Sequence, residues 1–265
     1  MNTTLPNPVL LAHRGASAHA PENTMIAFNL AISQGAPAIE LDVQLSADYE
    51  VVVFHDRTAS RTTNGSGRIR QHTLNDIKSL HAGTLFGTAF PDAKVPTLEE
   101  VFKELDPNIY LNIELKNLST PFDSLPERVA NLIRIHQAQN RVLISSFNPI
   151  ALTRIFRRLP TVPRGLLLHK PSHVDLCIFF PGLISDFQTI HTSMVCITKN
   201  RVDSLHKLGK KVYTYTLNQT DDIQHALNCG VDGFFTDDPA LGLRTLGESG
   251  YNNIQFQPDR NIELQ

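Results

Sequence analysis

Short runs of apolar residues recur along the chain, and helical segments stand between many of them. The runs are rich in Val, Ile, Phe and Tyr, which is typical of β-strands. Nine runs are therefore predicted as strands: Val9–Ala12, Ile39–Leu45, Val51–Phe54, Ile109–Leu115, Val142–Phe147, Gly165–Leu168, Leu183–Ile190, Lys211–Leu217 and Gly233–Thr236.

Several intervening segments carry signals for the two ends of a helix. Thr97 followed by Glu100 forms a capping box that would open a helix. Asn148 and Asp238 each precede a proline, as expected for a capping residue with proline at the first helical position. Glycines that fit the position just after a helix are Gly35, Gly209 and Gly230.

The alternation of strands and helices predicts a parallel α/β fold. At this length and strand count a TIM (β/α)8 barrel is favoured, and a doubly wound open sheet is the alternative. Nine strands are one too many for such a barrel. Ser46–Glu50 is too short for a crossover helix, so the second and third strands are expected to pair antiparallel and make the barrel irregular.

A long interval from Asp56 to Pro96 contains no convincing barrel strand. It holds a helix-start signal from Thr73 to Asp76 and a stretch rich in Gly and Phe. Intervals of this size within a compact domain are usually functional lids or small insertions. We therefore predict a single domain over residues 1–265, with residues 56–96 as a small insertion.

Composition narrows the class of protein. The 265 residues include 24 Lys and Arg against 26 Asp and Glu, which argues against a nucleic-acid binder that relies on a broad basic face. Three widely spaced cysteines without a CxxC pair argue against a disulfide framework or a cysteine zinc site. The N-terminus lacks the basic segment of a secretory signal, and Pro181 interrupts the apolar stretch Leu176–Ile184. We expect a cytoplasmic protein without stable membrane insertion.

Ionisable residues stand on or at the ends of four early predicted strands. Residues two apart on a strand share a face, so Glu40 with Asp42, and Glu114 with Lys116, can point into one cavity. The carboxyl ends of barrel strands form the active-site face. The candidate set is His13, Arg14, Glu40, Asp42, His55, Glu114 and Lys116.

This set suits chemistry at a phosphate. Three carboxylates can hold Mg²⁺ or Ca²⁺, because both ions prefer hard oxygen ligands. Arg14 and Lys116 can neutralise an anion whose charge grows during attack, and two histidines can supply a base and an acid near neutral pH. Taken singly, a Glu-x-Asp stripe or a His-Arg pair is more often a polar surface feature. Together they predict metal-assisted displacement at a phosphate diester.

Short motifs along nearly the whole chain resemble the glycerophosphodiester phosphodiesterase family, and its short cytoplasmic members in particular. They occur in the family's order: HRG at 13–15, PENT at 21–24, IELDVQL at 39–45, VVFHD at 52–56, RTTNGSG at 61–67, PTLEEV at 96–101, NIELK at 112–116, SSFNP at 145–149 and GVDGFFTDDP at 230–239.

The resemblance implies a TIM barrel with a small insertion after the third strand. It also implies hydrolysis of glycerophosphodiesters, small molecules such as deacylated phospholipids, to sn-glycerol 3-phosphate and an alcohol with a divalent cation. Glu22 of the PENT motif would either support the site or help to cap a helix. By position, Glu40, Asp42 and Glu114 would bind the metal, His13 and His55 would be the acid and base, and Arg14 and Lys116 would hold the phosphate.

The sequence departs from the family pattern in two places. Many members have a tryptophan where this chain has Tyr215, so the shape of the substrate pocket is expected to differ. Phe147 and Tyr215 would either line that pocket, against the glycerol or the alcohol, or pack in the core. The usual Asp-Gly turn is replaced by Asp48–Glu50, which requires another turn geometry.

Two other functions stay open at this point. A phospholipase-like member of the superfamily, acting as a lysophospholipase D or forming a cyclic phosphate, would need an aromatic-rich lid. The interval 56–96 offers only Phe86 and Phe90. A non-catalytic barrel that serves as a binding protein would have lost a histidine or carboxylate of the site, and this chain retains each of them.

Of the remaining histidines, His169 and His173 could reach the barrel mouth. The others are assigned to helical or loop stretches: His72, His81, His136, His191, His206 and His225.

Overall fold

The computed structural model describes residues 6–251, which form a closed barrel of eight parallel strands with one further antiparallel strand. Most of the strands are apolar runs, and the strand side chains are almost entirely buried, as expected for a sheet covered on both faces. The strands are β1 Val9–His13, β2 Ala38–Leu45, β3 Val51–Val53, β4 Tyr110–Leu115, β5 Val142–Ser146, β6 Arg164–Leu168, β7 Thr189–Ser193, β8 Lys211–Tyr215 and β9 Gly233–Thr236.

Helices follow most of the strands and cover the outside of the barrel. Their apolar faces meet the outward side chains of the strands in one large core, which includes Phe28, Leu41 and Phe234. The helices are α1 Met25–Ser33, α2 Leu74–Ser79, α3 Leu98–Glu104, α4 Leu125–Ile135, α5 Pro149–Arg158, α6 Pro171–Phe179, α7 Lys199–Lys207, α8 Thr220–Cys229 and α9 Pro239–Glu248.

The predicted helix ends are confirmed. Thr97 and Glu100 form a complete capping box at α3, and Thr73 forms one with Asp76 at α2. The Asn148 side chain accepts a hydrogen bond from a backbone N–H at the start of α5. The same kind of bond is made at α9 by Asp238, and positive φ angles occur at Gly35, Gly209 and Gly230.

The barrel closes because β1 pairs in parallel with both β9 and β2. The order around the barrel is β1-β9-β8-β7-β6-β5-β4-β2, with β3 outside it on β2. This is the TIM barrel that the alternation predicted, and the alternative of an open doubly wound sheet is wrong. Closure places the residues after β1 beside those after β9, although the two strands lie at opposite ends of the chain.

Strand β3 makes the barrel irregular in the predicted way. It pairs antiparallel with β2, with Val43 opposite Val53. The turn between them uses a positive φ at Tyr49, and the Glu50 N–H donates to Ser46 Oγ over 2.8 Å. The chain thereby turns back toward the level of Asp42 after β2 has ended.

The segment 57–95 contains α2 and three short 3₁₀ turns, at Ala59–Arg61, Ile69–Gln71 and Thr84–Phe86. It adds no strand to the barrel sheet within the described residues. A small apolar cluster of its own, which includes Ile69 and Ile77, packs against Val52 and Phe54 beside β3. This cluster fixes the segment at one side of the barrel mouth.

One strand boundary was predicted wrongly. The run Leu183–Ile190 was expected to be a strand, but Pro181–Ile184 forms a 3₁₀ turn and β7 begins only at Thr189. Pro181 cannot donate a ladder hydrogen bond, and Leu183 is 54 % exposed, so apolar composition alone was misleading there. The shift places His191 inside β7, not in the helical or loop stretch predicted for it.

None of the helices within residues 6–251 has the length and apolar character needed to cross a bilayer.

Candidate active site

A cavity of about 240 Å³ opens at the carboxyl ends of the strands. Most of the residues predicted for the site line it, so the structure brings them together. The lining residues are His13, Arg14, Glu40, His55, Asn112, Glu114, Lys116, Ser145, Phe147, Leu167, His191, Tyr215, Thr216 and Phe235.

Three buried carboxylates form the centre of the site. Asp42 on β2 lies opposite Glu114 on β4 in the strand register, and Glu40 is two residues earlier on the same face as Asp42. One carboxylate oxygen from each residue lies within 4.8 Å of the other two. The predicted parity is therefore what places Glu40, Asp42 and Glu114 in one cluster.

The carboxylates differ in their electrostatic surroundings. Burial raises the pKa of Glu40 well above its usual range, and the negative charges of Asp42 and Glu114 add to the effect. Burial also opposes ionisation of Asp42, but the charges of Arg14 and Lys116 outweigh it and hold the pKa of Asp42 well below its usual range. The cluster is thus only partly neutralised by its own cations.

Two basic side chains face the cluster directly. Arg14 Nε lies 3.2 Å from Asp42 Oδ2. Lys116 Nζ lies 2.8 Å from Glu114 Oε1 and 3.6 Å from Asp42 Oδ1. These contacts raise the pKa of both bases despite their burial, so both side chains stay charged. The three carboxylates outnumber the two basic side chains that contact them, so buried carboxylate oxygens remain available as ligands. Such hard oxygen ligands fit Mg²⁺ or Ca²⁺.

The PENT motif supports this cluster from outside the strands. Asn23 donates from Nδ2 to Asp42 Oδ2 over 2.9 Å, and its Oδ1 accepts the Asp42 N–H over 3.2 Å. Thr24 is the residue that caps α1. Glu22 accepts a 2.9 Å hydrogen bond from Arg14 Nη1. Of the two roles expected for Glu22, contact with a site residue is therefore the one observed.

His13 ends β1 and is held by the loop after β9. Its Nδ1 lies 2.6 Å from Asp237 Oδ1, which leaves Nε2 as the free ring nitrogen, 4.0 Å from Glu40 Oε2. Ser17 Oγ and Asn218 Nδ2 also donate to Asp237, over 2.9 and 2.6 Å. Although burial opposes ionisation, these donors lower the pKa of Asp237 to about 2. Asp237 is therefore a fixed acceptor that sets the tautomer and orientation of His13.

His55 follows β3 and reaches the site because that strand is antiparallel, as predicted. The strand ends at Val53, two residues before His55. The chain runs back along β2, and the Phe54 N–H donates to Asp42 O over 2.9 Å. His55 Nδ1 then lies 2.7 Å from Asp56 Oδ1. Burial and the nearby charges of Arg14 and Lys116 lower the pKa of His55.

Aromatic side chains form one wall of the cavity. Phe147 and Tyr215 both line it and meet edge to face, with ring centroids 6.5 Å apart. Tyr215 donates its hydroxyl to Leu168 O over 3.1 Å. Both side chains therefore line the cavity, and Tyr215 also packs against a buried cluster of the barrel interior. The ring of His169 packs edge to face on Phe147, with ring centroids 5.9 Å apart, and His173 packs on His169. Neither histidine lines the cavity.

Sequence reasoning assigned no role to Asp237, Asp56 or Asn218. Asp237 lies 224 positions from His13, and only closure of the barrel brings the two together. A usable signal was present, since Asp237 directly follows β9 and polar residues after barrel strands face the mouth. Asp56 was visible beside His55, but spacing did not indicate that the two side chains would bond.

The comparisons with known proteins agree with this geometry. The profile of the glycerophosphoryl diester phosphodiesterase family matches residues 13–241. The chain belongs to this family. A glycerophosphodiester phosphodiesterase of Caldanaerobacter subterraneus subsp. tengcongensis is 36 % identical, over 91 % of this chain and 99 % of that protein. One from Bacillus altitudinis is 34 % identical, over 90 % of this chain and 98 % of that protein.

A solved structure gives the same result. The Oleispira antarctica phosphodiesterase in complex with its product sn-glycerol-3-phosphate superposes with a TM-score of 0.83 and 30 % identity, covering 91 % of this chain and 97 % of that one. The predicted family, the barrel and the assignment as a glycerophosphodiester phosphodiesterase, a phosphoric diester hydrolase, are confirmed. The cytoplasmic location and the single-domain boundaries stay predictions.

Proposed function

We propose that this member of the family hydrolyses small glycerophosphodiesters to sn-glycerol 3-phosphate and an alcohol with the help of one divalent cation. The observation that carries the proposal is the arrangement at the barrel mouth. A buried cluster of three carboxylates lies between two histidines that are each oriented by an aspartate, with one arginine and one lysine beside it.

Glu40, Asp42 and Glu114 would hold the cation. Their oxygens are close enough to share one ion, and they outnumber the cationic side chains that contact them. When bound, Mg²⁺ or Ca²⁺ would draw charge from the phosphoryl oxygens as a Lewis acid. Arg14 and Lys116 would bind the same phosphate and stabilise the charge that develops on it during attack.

His13 and His55 would move the two protons. Displacement at phosphorus forms a bond from a water oxygen and breaks the bond to the alcohol oxygen. His13 Nε2 would accept the proton of the attacking water, and His55 Nε2 would donate a proton to the departing alkoxide. Each Nδ1 is already bonded to a carboxylate, so Nε2 is the nitrogen that is free in both rings.

The organic part of the substrate would lie against Phe147 and Tyr215. The hydroxyl of Tyr215 is already used by Leu168 O, so the ring would offer its apolar surface to the substrate. An apolar wall of this kind would accept the carbon skeleton of glycerol or of the leaving alcohol while the phosphate stays at the charged side of the cavity.

The test is turnover of a panel of glycerophosphoalcohols, with products identified by ³¹P NMR. We expect sn-glycerol 3-phosphate as product, complete loss of turnover in chelator, and recovery on addition of Mg²⁺ or Ca²⁺. A cyclic glycerol phosphate would instead indicate attack by the neighbouring glycerol hydroxyl. Full activity of a metal-free Glu114→Gln variant would overturn the metal assignment.

A further inference from the structure

Arg61 reaches from the segment 57–95 back to the barrel mouth. It is the last residue of the first 3₁₀ turn, Ala59–Arg61. Its Nη1 and Nη2 donate to the two carboxylate oxygens of Glu22 over 2.6 and 2.7 Å. Its Nε donates to Asp56 Oδ2. One guanidinium therefore uses all three of its nitrogens to bind two carboxylates.

Each of these carboxylates also binds a residue of the site. Glu22 Oε1 accepts from Arg14 Nη1 over 2.9 Å, and Asp56 Oδ1 is bonded to His55 Nδ1 over 2.7 Å. None of Arg61, Glu22 and Asp56 belongs to the cavity wall formed by the described residues. Any effect of Arg61 on chemistry must therefore pass through Arg14 and His55.

For the support that Arg61 gives to Glu22 and Asp56, the geometry of the contacts matters more than their charge. An exposed ion pair contributes little, but a forked guanidinium contact fixes the plane of the carboxylate that it binds. Without Arg61, Glu22 keeps only Arg14 among these partners, and Asp56 keeps only His55. Both carboxylates could then rotate, and the side chains that they hold would rotate with them. Small displacements of catalytic groups lower rates by up to about 100-fold.

We propose that Arg61 is a positioning residue that holds Arg14, through Glu22, and His55, through Asp56, at the same time. The inference rests on the hydrolase function proposed above, and it gives the segment 57–95 a role in positioning two residues of the site. The two links differ in their effect on KM. Loss of the Arg14 link weakens phosphate binding and raises KM, besides reducing the stabilisation of charge during attack, whereas loss of the His55 link slows proton transfer and lowers kcat without raising KM.

The kinetic test compares Arg61→Gln and Arg61→Lys with Arg68→Gln, which removes an exposed arginine of the same segment. We expect Arg61→Gln to lower kcat/KM by about 10- to 100-fold, with both constants affected. Arg61→Lys should recover little, because an ammonium cannot bind two carboxylates as a fork. Arg68→Gln should match the wild type, and melting temperatures should show that all three variants are folded.

Double variants separate the two links. In an Asp56→Asn background, adding Arg61→Gln should still raise KM, because only the Arg14 link remains to be lost. In a Glu22→Ala background, which removes the oxygen shared by Arg61 and Arg14, the same addition should lower kcat without raising KM further. Fully additive effects on both constants would overturn the proposal.

Two measurements without turnover keep the inference separate from the proposed function. ¹⁵N NMR of the imidazoles should show a changed Nδ1 signal for His55 in Arg61→Gln but unchanged signals for His206, whose Nε2 is bonded to Asp232 outside the site. Titration with inorganic phosphate should show weaker binding in Arg61→Gln. If the wild type lacks turnover but both changes occur, the proposed function fails and the positioning role stands. If Arg61→Gln matches Arg68→Gln in all readouts, the positioning role is wrong.

Discussion

At the scale of single residues, the site contains two histidines with matched support, for which we propose separate tasks. His13 is held by Asp237 and His55 by Asp56, each through Nδ1. We expect His13→Ala and His55→Ala each to lower kcat by about 10²- to 10⁴-fold, the usual effect of losing a catalytic acid or base. The measurement is steady-state kinetics on a glycerophosphodiester with an ordinary alcohol as leaving group.

The leaving group distinguishes the two roles. A nitrophenyl diester needs little protonation of its departing oxygen, so it should largely restore turnover to the variant that lacks the acid. We expect that variant to be His55→Ala, while His13→Ala stays impaired. Rescue of both variants to the same extent, or of neither, would contradict separate acid and base roles.

At the scale of elements, β6 and β7 fit together inside the barrel around one buried histidine. His191 on β7 is fully buried and stacks on Tyr213 of β8, with ring centroids 5.1 Å apart. Gly165 on β6 leaves room for it, since a Cβ there would lie 2.6 Å from His191 Nε2. Burial alone lowers the pKa of His191 to about 3. The barrel interior therefore requires the neutral imidazole.

This burial predicts a pH dependence of stability. Between pH 6.5 and pH 3 the unfolded chain binds a proton at His191 that the folded chain excludes, so stability falls as the pH falls through this window. The expected loss is about 1.4 kcal/mol between pH 7.5 and pH 5.5. Urea denaturation at the two pH values should show a flatter dependence for His191→Gln. The exposed control His173→Gln should keep the wild-type slope, and equal slopes for all three proteins would contradict the prediction.

The order and type of the elements could be predicted from sequence because both depend on local physics. Apolar runs located eight of the nine described strands, and the short link Ser46–Glu50 required an antiparallel pair. Local pattern failed at Leu183, where a proline and exposure to water override apolar composition. His55 reaches the mouth because the predicted antiparallel β3 carries the chain back along β2.

At the scale of the whole molecule, contacts between distant parts of the chain explain what sequence reasoning missed. Glu40, Asp42 and Glu114 could be grouped in advance because strand parity is a local property. The pairing of His13 with Asp237 requires β1 to meet β9, and the Arg61 contacts require the segment 57–95 to fold back over the mouth. Closure of the barrel and packing of this segment are set by the complete set of neighbours, which no single motif encodes.

The same long-range assembly would couple the proposed metal binding to the stability of the whole barrel. Folding brings three carboxylates within 4.8 Å of one another in a buried site, and their mutual repulsion opposes folding when no cation is bound. An ion that binds only the folded chain stabilises it by about 2.7 kcal/mol at 100 times its Kd. For a chain of this size we therefore expect Mg²⁺ or Ca²⁺ to raise the melting temperature by about 5–10 °C relative to chelator.

The variant Glu40→Gln tests this coupling without relying on turnover. Glu40 Oε2 accepts a hydrogen bond from the Arg14 backbone N–H over 3.1 Å, and the amide oxygen of a glutamine can accept the same bond. The substitution therefore removes the charge with little change of shape. We expect the variant to be at least as stable as the wild type in chelator and to lose the rise in melting temperature with the metal.

Glu99→Gln, on the exposed face of α3, is the matched control and should keep the full rise. All samples need the same ionic strength, because screening alone also reduces repulsion. An equal rise in Glu40→Gln and Glu99→Gln would place the ion elsewhere on the molecule, whereas its loss in Glu40→Gln alone would assign it to the three carboxylates at the barrel mouth.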